Sequence, residues 1–402
     1  TFLKRSNMNR HRILRTLTLG TFTMMLGFSI WQAVFNNFAV QELHVQPAQM
    51  GLIQSIREIP GFLGFGMSFL ALLVPELSLA SLSLVFMGVG LVLMSFSVNA
   101  ATLLAYTLVF SVGFHLFMPA QSSVALIFSE EKDTPRLLGR LGSVGAVASV
   151  VAAVFVFFSV KPLGFRTTLI IAGVVSAIGG FVCMYMGRGA QGRTVKQRLI
   201  WRRRYWLFYS LTFLMGSRRH IFSTFAIFLL VNDFHISTKV TAVLFLVASL
   251  LATYTARLIG RLVADFGERI MLTIYFTAIA AVCLGYAYVP QFRQMLDFSQ
   301  TLVLALLFLL FISDSLLSGF DLAVNSYFRK IAPPTEVTAN MSMSQTINHI
   351  SALFVPAIGG VIWERFGAAS TFLFGVVVAL ACLALTQWIK VRPAVPTYAA
   401  GP

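Results

Sequence analysis

Charged residues are scarce in this chain of 402 residues. Only 11% of them are Asp, Glu, Lys or Arg, whereas a soluble domain carries about 25%. Hydrophobic residues make up 57% of the sequence, so a soluble globule of this composition would lack a polar coat. These figures exclude an ordinary cytosolic enzyme and a disordered chain, and they predict an all-α polytopic membrane protein.

Cysteine is almost missing from the sequence. The three cysteines are Cys183, Cys283 and Cys382, and each lies in an apolar run without the paired spacing of a zinc site or a disulfide framework. We interpret them as small, buried apolar residues. Their scarcity excludes a secreted disulfide-rich scaffold, and no metal or cofactor is expected.

The motifs of enzymes and of ATP-driven pumps are also missing. The six histidines form no HExxH pattern, there is no CxxC pair, and no Walker or GxGxxG motif stands in the right context. We therefore predict that the chain is not an enzyme. A membrane receptor is a further alternative, but it would favour long extramembrane segments, for which little sequence remains.

Long apolar runs are what the sequence has in abundance. A membrane-spanning helix needs about 20 apolar residues, and the turn residues between the runs predict twelve such helices. These spans are predicted at 14–39, 48–74, 78–97, 101–128, 138–160, 167–187, 205–231, 240–263, 270–289, 301–327, 338–362 and 368–389. They form an N-terminal six-helix bundle (1–187), a basic linker (188–204) and a C-terminal six-helix bundle (205–402).

Basic residues outnumber acidic ones, 30 to 14. With a cytoplasmic N-terminus, 21 of the 30 fall on the cytoplasmic side, five on the other side and four inside spans. Because positive charge is typical of cytoplasmic loops, the excess predicts topology rather than nucleic-acid binding. We expect a monomer in the plasma membrane (the inner membrane, in a bacterium), with both termini cytoplasmic and the lipid bilayer as a partner. For the linker, contact with anionic lipid is the alternative interpretation.

Three short matches relate the two halves of the chain. The segment 42–45 corresponds to 233–236, 113–115 to 319–321, and 163–166 to 365–367. The matches keep the same order, at offsets of 191, 206 and 203 residues, which indicates duplication. Parallel six-helix repeats place a binding site between the halves, near the middle of the membrane.

The most specific local pattern follows span 8, where the sequence reads Gly-Arg-Leu-Val-Ala-Asp-Phe-Gly-Glu-Arg over 260–269. It resembles the loop motif glycine-x-leucine-alanine-aspartate-x-x-glycine-x-arginine of the major facilitator superfamily, which the chain resembles over nearly its whole length. The resemblance implies a transporter in which Asp265 and Arg269 latch the outward-open state, with the carboxylate at the positive end of a helix. Arg257, one turn inside span 8, is assigned to the same gate. An ordinary tight turn with a local ion pair is the alternative.

Two departures from this family accompany the resemblance. The stretch 69–77, where the family's first copy of the motif would stand, lacks its glycines and basic residues. Span 5 also lacks the glycine-proline signature associated with antiporters, which disfavours exchange of drugs for protons. Its Gly139, Gly142 and Gly145 predict close helix packing instead.

Ionisable residues inside spans are the strongest functional signal, because each costs about 2.5–3.5 kcal/mol to insert. In span 2, Arg57 and Glu58 would project about 100° apart on a helix, so we expect Arg57 to face substrate and Glu58 a neighbouring helix. In span 7, Arg218 and Arg219 lie too deep for easy snorkelling, and at least one should reach an aqueous cavity. A structural ion pair is the alternative at both places.

Span 10 carries Asp314, Ser318, Asp321 and Asn325 at the spacing of one helix face. One of the two aspartates, beside an arginine, is predicted to couple transport to protons, with a fixed bridge as the alternative. His349 of span 11 is a further candidate for proton coupling, with an interhelical hydrogen bond as the alternative. Candidate substrate contacts besides the arginines are His115, Asn348, Trp31 and Gln32.

Arginine binds carboxylate and phosphate through a bidentate fork, and the spans hold four arginines against three carboxylates. We therefore predict a secondary carrier of a small organic anion, with proton symport as a further hypothesis. Export of amphiphilic drugs or lipids is the alternative, since Phe-rich spans allow an apolar cavity.

Overall fold

The fold is that of a computed structural model, which describes residues 2–63, 74–129, 133–188 and 201–390. These ranges are almost entirely helical and contain no strand. The α-helices are α1 (Phe2–Gln41), α2 (Pro47–Arg57), α3 (Ile59–Phe62), α4 (Glu76–Ser95), α5 (Ala100–Phe128), α6 (Thr134–Met186), α7 (Trp206–Asn232), α8 (Thr238–Phe266), α9 (Glu268–Tyr288), α10 (Phe292–Met295), α11 (Gln300–Leu317), α12 (Asp321–Ile331), α13 (Pro334–Phe366) and α14 (Ala368–Thr386). Short 3₁₀ segments lie at Arg203–Tyr205, Val289–Gln291 and Ser318–Phe320.

The helices account for the predicted spans. Within the described ranges, nine are long and apolar enough to cross a membrane. One of these, Arg136–Met186, has 51 residues because two helices join at a kink at Gly164, and it covers spans 5 and 6. Span 8 corresponds to the shorter apolar segment Thr238–Ala252, and span 2 to α2 and α3, which lead into residues outside the described ranges. The prediction of an all-α polytopic fold is confirmed.

Local chemistry breaks the helical path at three places. Spans 5 and 6 meet inside α6 at Gly164, whose φ of 74° breaks the helical path. Span 2 stops at Arg57 because Pro60 has no N–H to donate to the preceding turn. Span 10 is divided by the 3₁₀ segment Ser318–Phe320.

The chain forms two compact units, each described by itself. The first unit comprises Thr1–Arg198, Phe222–Val247 and Ala352–Gly367. The second unit comprises Leu199–Ile221, Ala248–Ser351 and Ala368–Pro402. Most of the predicted linker, residues 189–200, lies outside the described residues.

In the first unit, α1 packs against α6, and α4 packs against both α5 and α6. A Cβ on Gly88 or on Gly173 would collide with the carbonyl of the other glycine, so glycine is required where α4 meets α6. Gly139 and Gly142 face open space instead. The expectation of close packing at these two glycines is therefore wrong, because the tight contact of α6 lies in its second half.

Segments from later in the chain complete the first unit. Asn37 donates a hydrogen bond to the carbonyl of Ile236 at 2.8 Å and accepts one from Thr241 at 3.1 Å. The hydroxyl oxygen of Ser55 accepts the backbone N–H of Ala357 at 2.9 Å. Small and polar side chains make these contacts, as is typical between membrane helices.

In the second unit, α9 packs against α14, α11 and α12. Its buried face includes Tyr275, Cys283 and Tyr286. All three cysteines of the chain are free and buried, which confirms their interpretation as buried apolar residues. Glu336 lies just before span 11, and hydrogen bonds of 2.7 Å from Tyr205 and Arg204 hold the pKa of its carboxyl below its usual value.

The internal repeat is visible in the local backbone. His44 follows α1 with φ 51°, and His235 follows α7 with φ 52°. In both cases the next residue donates its N–H to the carbonyl six residues upstream, at 3.0 and 3.2 Å, which is the same left-handed helix cap. Gly164 and Gly367, with φ 74° and 85°, are likewise equivalent. The predicted duplication is confirmed.

Candidate functional site

The charged residues of span 2 close a ring of polar contacts with span 4. Nη2 of Arg57 lies 2.6 Å from Oε1 of Glu58, and Oε2 of Glu58 lies 3.4 Å from Nε2 of His115 on α5. Nδ1 of His115 lies 2.9 Å from Oγ of Ser111, and the Ser111 hydroxyl donates to the carbonyl of Arg57. We call these four residues the polar ring.

The polar ring depends on the break in span 2. The expectation that Arg57 and Glu58 would point apart is wrong, because α2 ends at Arg57 and the next residue no longer follows its path. The expectation that Glu58 reaches a neighbouring helix is confirmed by its contact with His115. One helix break thus brings a cation, an anion and an imidazole together.

The polar ring is largely shielded from solvent. The side chains of Glu58 and His115 are 7% and 8% exposed, and that of Arg57 is 20% exposed. Ser111 is fully buried. Burial of so much polarity is tolerable because each member has a partner within the ring.

Aromatic side chains line the polar ring on the side of α1. The guanidinium carbon of Arg57 lies 5.2 Å from the centroid of the Trp31 ring, a cation–π distance. Trp31 stacks on Phe110 with centroids 4.9 Å apart, and Phe28 stacks on Phe114 at 4.7 Å. Among the predicted substrate contacts, the structure thus brings Arg57, His115 and Trp31 together.

The second unit holds its charges differently. Arg218 of α7 is 1% exposed and forms an ion pair with Asp314 of α11. Its Nη2 also donates to the hydroxyl of Tyr275 on α9 at 2.6 Å. Arg218 therefore ties three helices of this unit together from a fully buried position.

Arg219, the next residue, is accessible. It forms an ion pair with Asp321, and the two side chains are 41% and 33% exposed. Consecutive residues of a helix project about 100° apart, so one arginine turns into the unit and the other towards its surface. Arg219 is thus the exposed arginine of this pair.

The two aspartates of span 10 do not share one regular helix face. The 3₁₀ segment Ser318–Phe320 separates Asp314 from Asp321, and its three residues per turn differ from the 3.6 of an α-helix. The expectation of a single uninterrupted face running on to Asn325 is therefore wrong. Each aspartate serves a different arginine.

The remaining predicted contacts belong to α13 and α1. Asn348 of α13 lies against Gly216 of α7, where a Cβ would collide with its side chain. His349, the next residue on α13, is half-buried. Gln32 is half-buried on α1.

The predicted gate residues lie at the junction of α8 and α9. Asp265 and Arg269 are both exposed, and Arg269 donates to the side chain of Gln387 at 3.2 Å. Asp265 is the second-last residue of α8, and one residue fewer separates it from Gly267 than in the family's motif. The side chain of Arg257 lies outside the described residues.

The buried carboxylate at this junction is Glu268. It is 2% exposed, and its Oε1 lies 2.7 Å from Nζ of Lys330 and from Oγ of Ser326. Glu76 has the equivalent position at the start of α4, is 3% exposed and accepts from Ser123 at 3.3 Å. Both halves thus bury an acid at the start of their third span.

Sequence reasoning missed Tyr275 and Glu268. An acid two residues before span 9, matched by Glu76 two residues before span 3, is a repeat signal that could have identified Glu268. Tyr275 carries no such signal, because its role arises only when α9 packs beside α7.

Comparisons with known proteins agree with this architecture. A sequence profile of the Major Facilitator Superfamily matches residues 17–316 and 207–402. Among solved structures, the fold is similar to a variant of the nucleoside transporter NupG, with a TM-score of 0.77 and 14% identity over 94% of this chain and 100% of that chain. It is similar to a bacterial homologue of the human lysosomal transporter Spinster, in an inward-facing and occupied conformation. The TM-score is 0.71 and the identity 14%, over 94% of this chain and 96% of that chain. It also resembles a D-xylose–proton symporter, with a TM-score of 0.70 and 12% identity over 94% of this chain and 98% of that chain. A search of curated proteins finds no match.

Proposed function

This chain belongs to the major facilitator superfamily of membrane transporters, and from that premise we propose that it carries a small organic anion by alternating access. The proposal includes symport with protons, a plasma-membrane location with both termini cytoplasmic, and a monomeric state. The observation that carries it is the accessible Arg219–Asp321 ion pair near the middle of α7.

Arg219 offers what an anionic substrate needs. Its guanidinium has a planar fork that fits a carboxylate through two hydrogen bonds. The Asp321 carboxylate now on that fork has the same chemistry as an organic acid, so a substrate carboxylate can take its place. A neutral substrate has no comparable means of separating the pair.

Charge balance explains why protons accompany the anion. Among the described midspan residues, Arg57, Arg218 and Arg219 are each paired with a carboxylate. An entering anion must therefore displace an acid rather than occupy a spare cation. A carboxylate left in a membrane span without its cation is costly unless it takes up a proton, which assigns Asp321 as a coupling residue.

The buried pair has a supporting role in this scheme. Arg218, held by Asp314 and Tyr275, fixes the rotation of α7 and thereby the direction of Arg219. We assign it to positioning rather than to substrate contact.

Export of amphiphilic compounds is the second candidate. It is favoured by the half-buried stack of Phe28 on Phe114, which offers an apolar surface beside the polar ring. A screen of thermal stability separates the two candidates. If the protein exports amphiphilic compounds, an amphiphilic cation or a lipid would stabilise it while small carboxylates would not.

The test uses the full chain in detergent and a panel of organic carboxylates from acetate to citrate, each paired with its neutral amide. We expect a carboxylate to raise Tm where its amide does not, and to accumulate in proteoliposomes under an inward proton gradient. R219A should lower the uptake by about 10–100-fold, and R219K, which keeps the charge but loses the fork, should recover only part of it. Full uptake by R219A, or stabilisation by amides and carboxylates alike, would rule the proposal out.

A further inference from the structure

We propose that exposed arginines before α7 and tryptophans at the ends of α7 and α14 form a binding site for the headgroup of an anionic phospholipid. We call these residues the headgroup patch, and they are Arg202, Arg203, Arg204, Trp206 and Trp388. All five belong to the second unit. The proposal is independent of what the transporter carries.

The two tryptophans mark the boundary of the membrane. Trp206 is the first residue of α7, and Trp388 lies two residues after the end of α14. Their ring centroids are 5.3 Å apart, so these two spans end side by side. The residues are 46% and 57% exposed. Exposed tryptophans at the ends of spans are typical of the headgroup level of a bilayer, and we therefore place that level at this pair.

The three arginines stand directly before the tryptophan pair. All three are exposed, and the side chains of Arg202 and Arg204 are 55% and 58% exposed. The 3₁₀ segment Arg203–Tyr205 leads into α7. At 2.0 Å per residue, it places Arg203 about 6 Å from Trp206 along the axis. The guanidiniums are thus held within reach of the phosphates of the leaflet that the tryptophans enter.

Contacts with α13 fix this segment in place. Oε2 of Glu336, in the first turn of α13, lies 2.7 Å from Nη2 of Arg204 and accepts the Tyr205 hydroxyl at 2.7 Å. Nε of Arg202 lies 3.4 Å from Oε1 of the same carboxylate. Tyr205 is 1% exposed and anchors the segment from below. A site that is already ordered loses little conformational entropy when a ligand binds.

One carboxylate does not neutralise three guanidiniums. Glu336 is shared by Arg202 and Arg204, while Arg203 is exposed to solvent. The segment therefore has two net positive charges, and Lys390, which is exposed two residues after Trp388, adds a third. Guanidinium groups bind phosphate through a bidentate fork, so this surface is complementary to a negatively charged headgroup.

The arginines and the tryptophans contribute different parts of lipid recognition. Phosphatidylcholine carries the same phosphate as an anionic phospholipid but adds a cation, which the arginines repel. The tryptophan rings contact the boundary between headgroup and acyl chain, and this boundary is the same in both lipids. The arginines thus select the charge of the headgroup, whereas the tryptophans strengthen the binding of either lipid. A free phosphate ion has no apolar part for the tryptophans, and this is why we assign the site to a lipid.

Native mass spectrometry of the full chain in detergent tests the selection of charge. With equal amounts of dioleoyl phosphatidylglycerol and dioleoyl phosphatidylcholine, we expect the wild-type protein to retain the phosphatidylglycerol. R203Q removes one charge outside the Glu336 contact and should lower the ratio of the two bound lipids by about fivefold. R203K should keep the ratio. R365Q changes the net charge equally at an exposed arginine near the end of α13, and this matched control should leave the ratio unchanged.

Two further arms separate the tryptophans and the free anion. W388A should lower the retention of both lipids by the same factor. Inorganic phosphate should displace no more phosphatidylglycerol than sodium chloride does at equal ionic strength. Equal retention of the two lipids by the wild-type protein overturns the proposal, as do equal losses in R203Q and R365Q. Selective displacement by phosphate would show a site for free anions and would also overturn it.

Discussion

The two units solve the problem of buried charge in different ways. The first unit closes four residues into the polar ring, in which Arg57 and Glu58 are adjacent in sequence and His115 arrives from another helix. The second unit sets two arginines side by side and gives each an aspartate from span 10. The arginines of the second unit are each paired with one aspartate from another helix, whereas the cation and the anion of the polar ring are consecutive residues.

The second unit also contains its own internal contrast. Arg218 and Arg219 have the same chemistry and neighbouring positions, yet one is 1% exposed as a residue and the other has a side chain 41% exposed. Burial makes the first pair structural and leaves the second pair exchangeable. Substitutions in these pairs and in the polar ring can therefore separate stability from transport.

The largest expected effect is on the stability of the second unit. R218A leaves Asp314, whose side chain is 19% exposed, without its cation, and removing one partner of a largely buried ion pair typically costs about 3–5 kcal/mol. We expect a clear fall in Tm in detergent, whereas R219A, at a half-exposed pair, should change the free energy of unfolding by about 1 kcal/mol or less. Equal destabilisation by the two variants would remove the contrast between the pairs.

The next effect is on transport. A charge-assisted hydrogen bond contributes about 1.5–3 kcal/mol, and each 1.4 kcal/mol is tenfold. R219A should therefore lower kcat/KM for carboxylate uptake by about 10–100-fold while Tm stays near that of the wild type. R57A is the matched change in the first unit, and unequal losses in R57A and R219A would show which unit contacts the anion.

A smaller effect concerns the proton gradient. D321N removes the acid that an entering anion displaces, so accumulation driven by a gradient of one pH unit should fall by up to about tenfold. D321E keeps an acid and should retain most of the coupling. Accumulation that survives D321N but not E58Q would assign proton coupling to the first unit alone.

The smallest effect compares equivalent hydrogen bonds in the two halves. A side-chain hydrogen bond between membrane helices averages about 0.6 kcal/mol. S326A removes a 2.7 Å bond to Glu268, and S123A removes a 3.3 Å bond to Glu76. We expect S326A to lower Tm more than S123A. The reverse order would mean that bond length does not rank these two sites.

The sequence predicts the helices well and the side-chain partners less well, for a physical reason. Apolar runs and basic loops are properties of a single stretch of chain, so span positions can be read locally. The positive-φ residues His44 and His235 follow from the repeat because equal segments adopt equal caps. Pro60 was visible in the sequence, but its consequence, the turn that joins Arg57 to Glu58, depends on where the helix stops.

Partners across helices require packing, which no single stretch contains. Arg218 could be recognised as a midspan charge, but its choice of Asp314 and Tyr275 over Asp321 depends on how α7, α9 and α11 are rotated against each other. The 3₁₀ segment makes the partners of span 10 harder to predict. The regular spacing of the polar residues in that span predicts one continuous helix face, which the 3₁₀ segment interrupts.

The separation of charged partners along the chain also has a consequence for synthesis. Arg57 and Glu58 are neighbours, so span 2 can enter the membrane already neutralised. Span 7 brings Arg218 and Arg219 into the membrane 96 residues before Asp314 is made, at an insertion cost of about 2.5–3.5 kcal/mol for each charge. Until the two aspartates are synthesised, the growing chain depends on the translocon or on lipid headgroups to stabilise the charges of the two arginines.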